Sequence, residues 1–136
     1  MRLCALIAIL VGLGLVDFSR ADRLIFPQFV SGELNGVRNS TRIILRNNGV
    51  QPETGQIQFL GSSGEPVEVM VGGQAVSALP YSLQPFGTLD LRTDGTGPLT
   101  SGVVEVQIQN QGATSLEGSL IYEVLGARVS VVSSPL

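Results

Sequence analysis

Apolar and polar residues alternate with a period of two in short stretches along most of the chain. Val104, Val106 and Ile108 interleave with Glu105, Gln107 and Gln109, and Leu89 and Leu91 with Asp90 and Arg92. Val67, Val69 and Val71 share one phase of VEVMV, and IQF, SLIYEV and ARVSVV continue the pattern. A strand with one buried face produces this alternation, because successive side chains point to opposite faces. Gly, Pro, Asn and Ser break the pattern at roughly the 8- to 12-residue spacing of turns in all-β domains. After the first 21 residues no stretch sustains a helical period. The pattern predicts an all-β fold, an antiparallel β-sandwich or barrel of about seven to nine strands. Pro27 cannot donate to a ladder, so LIFPQFV is predicted to be an edge strand.

The start of the chain follows a different logic. Arg2 precedes an apolar run from Leu3 to Val16, and the small residues Ser19 and Ala21 follow. That order predicts a secretory signal peptide, residues 1–21, cleaved after Ala21 to leave a domain of residues 22–136. A run of 14 residues is shorter than the roughly 20 that a spanning helix needs. The mature chain is therefore expected to have no membrane span. Cys4 falls in the discarded segment.

Composition then narrows the chemistry. From Asp22 onward there is no Cys, His, Lys or Trp, and six arginines face ten acids. Without Cys there is no disulfide framework, thiolate nucleophile or zinc–sulfur site. Without His the commonest general base and metal ligand is missing, and without Lys no Schiff base can form. An acidic chain with no basic run argues against nucleic acid as a partner. The expectation is a non-enzymatic chain with no cofactor and no metal.

One pattern occurs twice. Asn47-x-Gly49 leads to Gly55-x-Ile57-x-Phe59, and Asn110-x-Gly112 leads to Gly118-x-Leu120-x-Tyr122. Two readings fit: a duplicated half-domain, or two hairpins that each turn on Asn and Gly. The hairpin reading is the simpler expectation. FPQF (Phe26 to Phe29), LRNNG (Leu45 to Gly49), GEP (Gly64 to Pro66) and LRTDGTGPL (Leu91 to Leu99) together resemble a bacterial secreted immunoglobulin-like β-sandwich domain of unassigned activity. The resemblance covers nearly all of the mature chain. It implies that sandwich fold and an exported location, secreted, periplasmic or at the cell surface. It carries no catalytic residues.

Several residue groups invite a functional reading. Asp90 and Asp94 stand near Gly95, but a calcium loop counted from Asp90 would place Arg92 third and Ser101 twelfth. Asp94-Gly95 reads instead as a turn, with Asp capping the local backbone. Glu68, Asp90, Glu105 and Glu123 fall on the polar phase of their strands, where solubility rather than a glycosidase pair accounts for them. Tyr81 and Phe86, in LPYSLQPFG, are the best candidates for exposed aromatic contacts to a carbohydrate or protein ligand. Tyr81 has a second reading as a core tyrosine bonded to backbone. Arg42 and Arg46 are predicted to share an outer strand face with Ile44, paired with Glu on a neighbouring strand or facing an anionic surface polymer. Asn39-Ser40-Thr41 matches a glycosylation sequon, meaningful in a eukaryotic host. The first mature strand and VSVVSSPL are apolar, and such strands, if left unpaired, recruit a strand from another copy or another surface protein. The functional expectation is an exported structural or protein-interaction module, with a small carbohydrate- or protein-ligand-binding domain as the alternative.

Overall fold

The computed structural model describes residues 23–109, 115–125 and 129–135. The expected signal peptide and the Asn110-x-Gly112 turn lie outside these residues. The described residues form ten strands and no helix: β1 (Arg23–Leu34), β2 (Val37–Asn47), β3 (Glu53–Leu60), β4 (Val69–Val71), β5 (Gln74–Val76), β6 (Ala78–Leu83), β7 (Thr88–Arg92), β8 (Thr100–Ile108), β9 (Leu116–Leu125) and β10 (Val129–Ser133). The fold is all-β, as the alternation requires. The count exceeds the expected seven to nine because β4, β5 and β6 follow one another within a short span.

Eight strands form one antiparallel sheet in the order β10-β9-β2-β1-β8-β3-β6, with β7 also paired to β2, while β4 and β5 form a separate hairpin. The large sheet contains two four-strand runs, β6-β3-β8-β1 and β10-β9-β2-β7. They join where Gly32 to Leu34 of β1 pair with Val37 to Asn39 of β2. At the crossing, Gly32 has φ +122°, and a Cβ there would lie 2.3 Å from the Pro98 carbonyl oxygen. Glycine alone fits that approach. Asn35 and Gly36, both at positive φ, close the β1–β2 hairpin in two residues. This Asn-Gly pair is among the strongest local hairpin signals.

The two runs are built alike. In β2–β9, Leu45 pairs with Gly118, Ile43 with Leu120 and Thr41 with Tyr122. In β8–β3, Ile108 pairs with Gly55, Val106 with Ile57 and Val104 with Phe59. Ile108 stands 63 residues after Leu45, and Gly118 stands 63 after Gly55. The same offset holds for every pair just named. The flanking strands follow suit: β7 pairs with β2 as β1 pairs with β8, and β10 pairs with β9 as β6 pairs with β3. The chain is thus an internal repeat, β1-β2-β3-β6 followed by β7-β8-β9-β10, with β4–β5 inserted in the first copy. Each copy contributes three strands to one run and one strand, β2 or β8, to the other.

This arrangement corrects the hairpin reading. β2 does not pair with β3, nor β8 with β9; both connections pass from one run to the other. Asn and Gly turn the chain without choosing the strand it will meet. The repeated glycines have a shared reason too. A Cβ on Gly55 would lie 2.8 Å from the Tyr81 ring, and one on Gly118 would lie 2.8 Å from Phe26 Cζ. In both cases an aromatic ring from another strand lies over the glycine.

Phe26 and Phe29 of β1, Ile57 and Phe59 of β3 and Val104 and Val106 of β8 join Ile43 and Leu45 of β2 and Leu120 of β9 in one buried cluster. Phe29 and Phe59 meet edge to face, with ring centroids 5.2 Å apart. The register of β1 on β8 shifts between Phe26 and Phe29, so Pro27 and Gln28 bulge out and both phenylalanines turn inward. Pro27 is therefore placed by a bulge. β1 stands between β8 and β2 in the sheet order, but it meets β2 only from Gly32 to Leu34, so the LIFPQFV segment pairs with β8 alone and is an edge of its run, as expected. Where its second side leaves β2, core side chains supply the missing bonds. Thr41 Oγ1 accepts from the Val30 N–H (3.1 Å) and donates to the Val30 carbonyl (2.7 Å), and the Tyr122 hydroxyl donates to the Gln28 carbonyl (2.7 Å). Buried Thr93 completes the crossing, accepting from the Ser31 hydroxyl (2.9 Å) and the Thr41 N–H (3.0 Å).

Candidate functional site

A braced surface feature lies at the end of the fold where β2 stops. Asn47, the last residue of β2, is completely buried. Its N–H donates to the Gly87 carbonyl (2.9 Å), and its Nδ2 donates to the Gln51 carbonyl (2.7 Å), with the Leu83 and Gln84 carbonyls at 3.4 and 3.3 Å. Its Oδ1 accepts from the Gly49 N–H (2.9 Å). One amide therefore ties the 48–52 connection to the 84–87 turn. The next residue extends the tie, since the Asn48 N–H donates to the Ser115 carbonyl (3.0 Å). The Ser115 N–H in turn donates to the buried Glu53 carboxylate (3.1 Å).

The 84–87 turn has an unusual occupant. The Gly87 N–H donates to the Gln84 carbonyl (2.9 Å), Pro85 takes the second position, and Phe86 takes the third with φ +62°. This is the type II arrangement, whose third position suits glycine. A bulky residue there is a conformational outlier that costs about 1–2 kcal/mol. Phe86 is 58% exposed, so most of this residue faces outward from the turn. Val50, on the connection held by the same Asn47, is 74% exposed. The end of the fold thus presents two apolar side chains on two short segments braced by one buried amide.

Tyr81 is elsewhere. It is only 6% exposed and lies in the core cluster, so Tyr81 and Phe86 do not form a shared aromatic patch. Its hydroxyl has no hydrogen-bond partner among the described residues. Burial, reinforced by the nearby Glu53 charge, pushes its pKa up to about 12. Of its two sequence readings the core position holds, without the backbone bond.

Arg42, Ile44 and Arg46 share the outer phase of β2, while Ile43 and Leu45 are buried. Arg42 is held by Asp90 on β7 through two hydrogen bonds, Nε to Oδ1 (2.8 Å) and Nη2 to Oδ2 (2.5 Å). The bond from Arg42 lowers the Asp90 pKa, and the bond to Asp90 raises that of Arg42. Arg46 instead donates to the Asn48 side chain (2.7 Å). Two further acids of the polar phase are paired as well: Glu105 with Arg23 (2.8 Å) and Glu123 with Arg92 (3.0 Å). Glu68 lines a cleft of about 200 Å³ beside Met70 and Pro98 and is the one acid among the cleft's lining residues.

Asp94 has a longer reach than a local cap. Its carboxylate accepts from the Gly72 and Gly73 N–H groups (2.9 and 2.7 Å), and its N–H donates to the Met70 carbonyl (2.7 Å). It fastens the β4–β5 hairpin to the segment after β7. Among the described residues no group of three or more His, Cys, Asp or Glu is placed to hold a metal. The sequon falls inside β2, where Ser40 and Thr41 are buried and Asn39 is paired on both sides, so it is no surface-loop acceptor. Sequence reasoning missed Asn47 as a brace and Val50 as a contact. Asn at the end of an apolar strand, followed by Asn-Gly, was the available signal, but it speaks only of a turn. No protein-family model, curated protein or solved structure matches the chain.

Proposed function

We propose that the chain is an exported, non-enzymatic interaction or structural module that works at the cell surface or outside the cell. Its fold in this reading is an immunoglobulin-like β-sandwich, the two four-strand runs being the two layers. The single core cluster drawn from both runs, and the Phe26 ring against Gly118 of the opposite run, support that architecture. The turn motifs that resemble secreted bacterial domains support it as well. Phe26 and Phe29 flank the bulge, Asn47 braces the loops, Glu65 accepts from the Ser63 N–H in its turn (3.1 Å), and Asp94 anchors the hairpin.

The observation that carries the functional reading is Phe86, a large ring held outward in a conformation that disfavours it. Strain of this kind is maintained where a side chain is needed in a particular place. The pairing of strand carboxylates with arginines supports a non-enzymatic role. A small carbohydrate- or protein-ligand-binding domain is the second reading, with Phe86 as its apolar contact and without Tyr81.

The test is site-specific photo-crosslinking in the organism that makes the protein, with a benzophenone amino acid at position 86. The same probe at exposed Ser62 serves as control. A discrete extracellular adduct at 86 that is missing at 62 is expected, on a chain whose amino terminus is Asp22. Equal labelling at both positions, or a chain retained inside the cell with residues 1–21 attached, contradicts the proposal.

A further inference from the structure

The two runs have four outer strands, and the internal repeat sorts them into equivalent pairs, β1 with β7 and β6 with β10. An outer strand exposes unpaired backbone groups that can capture another chain, and proteins blunt such edges with proline, charge, bulges or cover. Three of the four are blunted. β1 has Pro27, its bulge and the Thr41 hydroxyl on Val30. β6 has Pro80 within it. β7 carries Asp90 and Arg92, each in an ion pair. β10, Val129 to Ser133, has neither proline nor charge, and it pairs with β9 over five rungs without a register shift. Its Val132 is 65% exposed beside Ile121 of β9.

We infer that β10 pairs antiparallel with β10 of a second copy, about a twofold axis through Val131. In that register Val129 meets Ser133 and Ser130 meets Val132 of the second copy. The two β10-β9-β2-β7 runs then become one continuous eight-stranded layer. The occupant is a second copy because of charge. From Asp22 onward the acids outnumber the arginines by ten to six, so each copy carries a net charge of −4 and copies repel one another overall. The β10 contact places no charged residue in the new ladder, and the same uncharged strand serves on both sides, as a closed twofold interface requires. This inference uses neither Phe86 nor the loop end and stands apart from the proposed contact there.

The experiment is sedimentation equilibrium of the purified exported chain over a concentration series, with Val132→Lys and, as control, Val50→Lys. Both positions are exposed, so both variants keep the core, which circular dichroism verifies. The wild type and Val50→Lys are expected to reach twice the monomer mass. Val132→Lys is expected to raise the dimer dissociation constant at least about tenfold, because a charged edge opposes strand addition. A wild type that stays monomeric up to millimolar concentration overturns the inference. So does a dimer that Val132→Lys leaves unchanged.

Discussion

Gly55→Ala is expected to destabilise the fold by about 3 kcal/mol or more, enough to leave much of the chain unfolded at ordinary temperature. Gly55 sits in the middle of its run, paired with Ile108 on one side and Tyr81 on the other. A Cβ there would stand 1.8 Å from the Gln107 carbonyl oxygen and 2.8 Å from Tyr81 Cε1 and its hydroxyl oxygen. A ring can rotate away from a methyl group, but a backbone carbonyl in a ladder cannot move without parting β3 from β8. The cost is therefore steric rather than conformational. Urea denaturation of the variant beside the wild type measures it. A loss below about 1 kcal/mol, the ordinary scale of a tolerated substitution, would mean that the two strands are not this close.

Asn47→Ala is expected to cost about 2–3 kcal/mol, the second large effect. The amide is fully buried and bonds to both loops, and deleting it strands the Gln51 carbonyl and the Gly49 N–H. A buried polar group left without a partner costs roughly 1–3 kcal/mol, and water entry at a loop end relieves part of that. Asn47→Asp gives a sharper contrast. The carboxylate can still accept from Gly49, but it faces the carbonyls of Gln51, Leu83 and Gln84 with no proton to donate. Its deficit is expected to match or exceed that of alanine at neutral pH. It should shrink as the pH falls, because the protonated acid regains a donor. Urea midpoints across pH follow both variants, and hydrogen exchange at Gly49 and Gly87 reports whether the loops separate.

The faces of the strands were legible in the sequence, and their partners were not. Alternation alone places Val104, Val106 and Ile108 inward, and Arg42, Ile44 and Arg46 outward from Ile43 and Leu45, because the period of two encodes which side a residue takes. It does not encode the neighbouring strand. Asn47-x-Gly49 consequently reads as a hairpin, although the chain there leaves one run for the other. The 63-residue echo held the missing information. The offset that relates two turns also relates the β2–β9 and β8–β3 ladders, but their pairing must be known before this can be seen. Asp94 shows a similar limit: its carboxylate serves a hairpin 21 and 22 residues away, while turn chemistry reports only adjacent backbone. For Phe86 and Tyr81 the loop position favoured exposure equally. The structure separates them because Tyr81 alternates inward in β6, over Gly55, whereas Phe86 occupies the third position of the turn beyond it.

In the proposed reading the loop end gives up stability to hold Phe86 outward. The unfolding free energy of Phe86→Gly tests it directly, by urea denaturation at equilibrium. Glycine suits the positive φ of the turn, and its greater freedom in the unfolded chain offsets part of the gain. The variant is expected to be more stable than the wild type by about 0.5–1 kcal/mol, with an unchanged denaturant slope. A variant less stable by about 1 kcal/mol or more would contradict it, since the ring would then be packed onto the fold for stability and would not be offered to a partner.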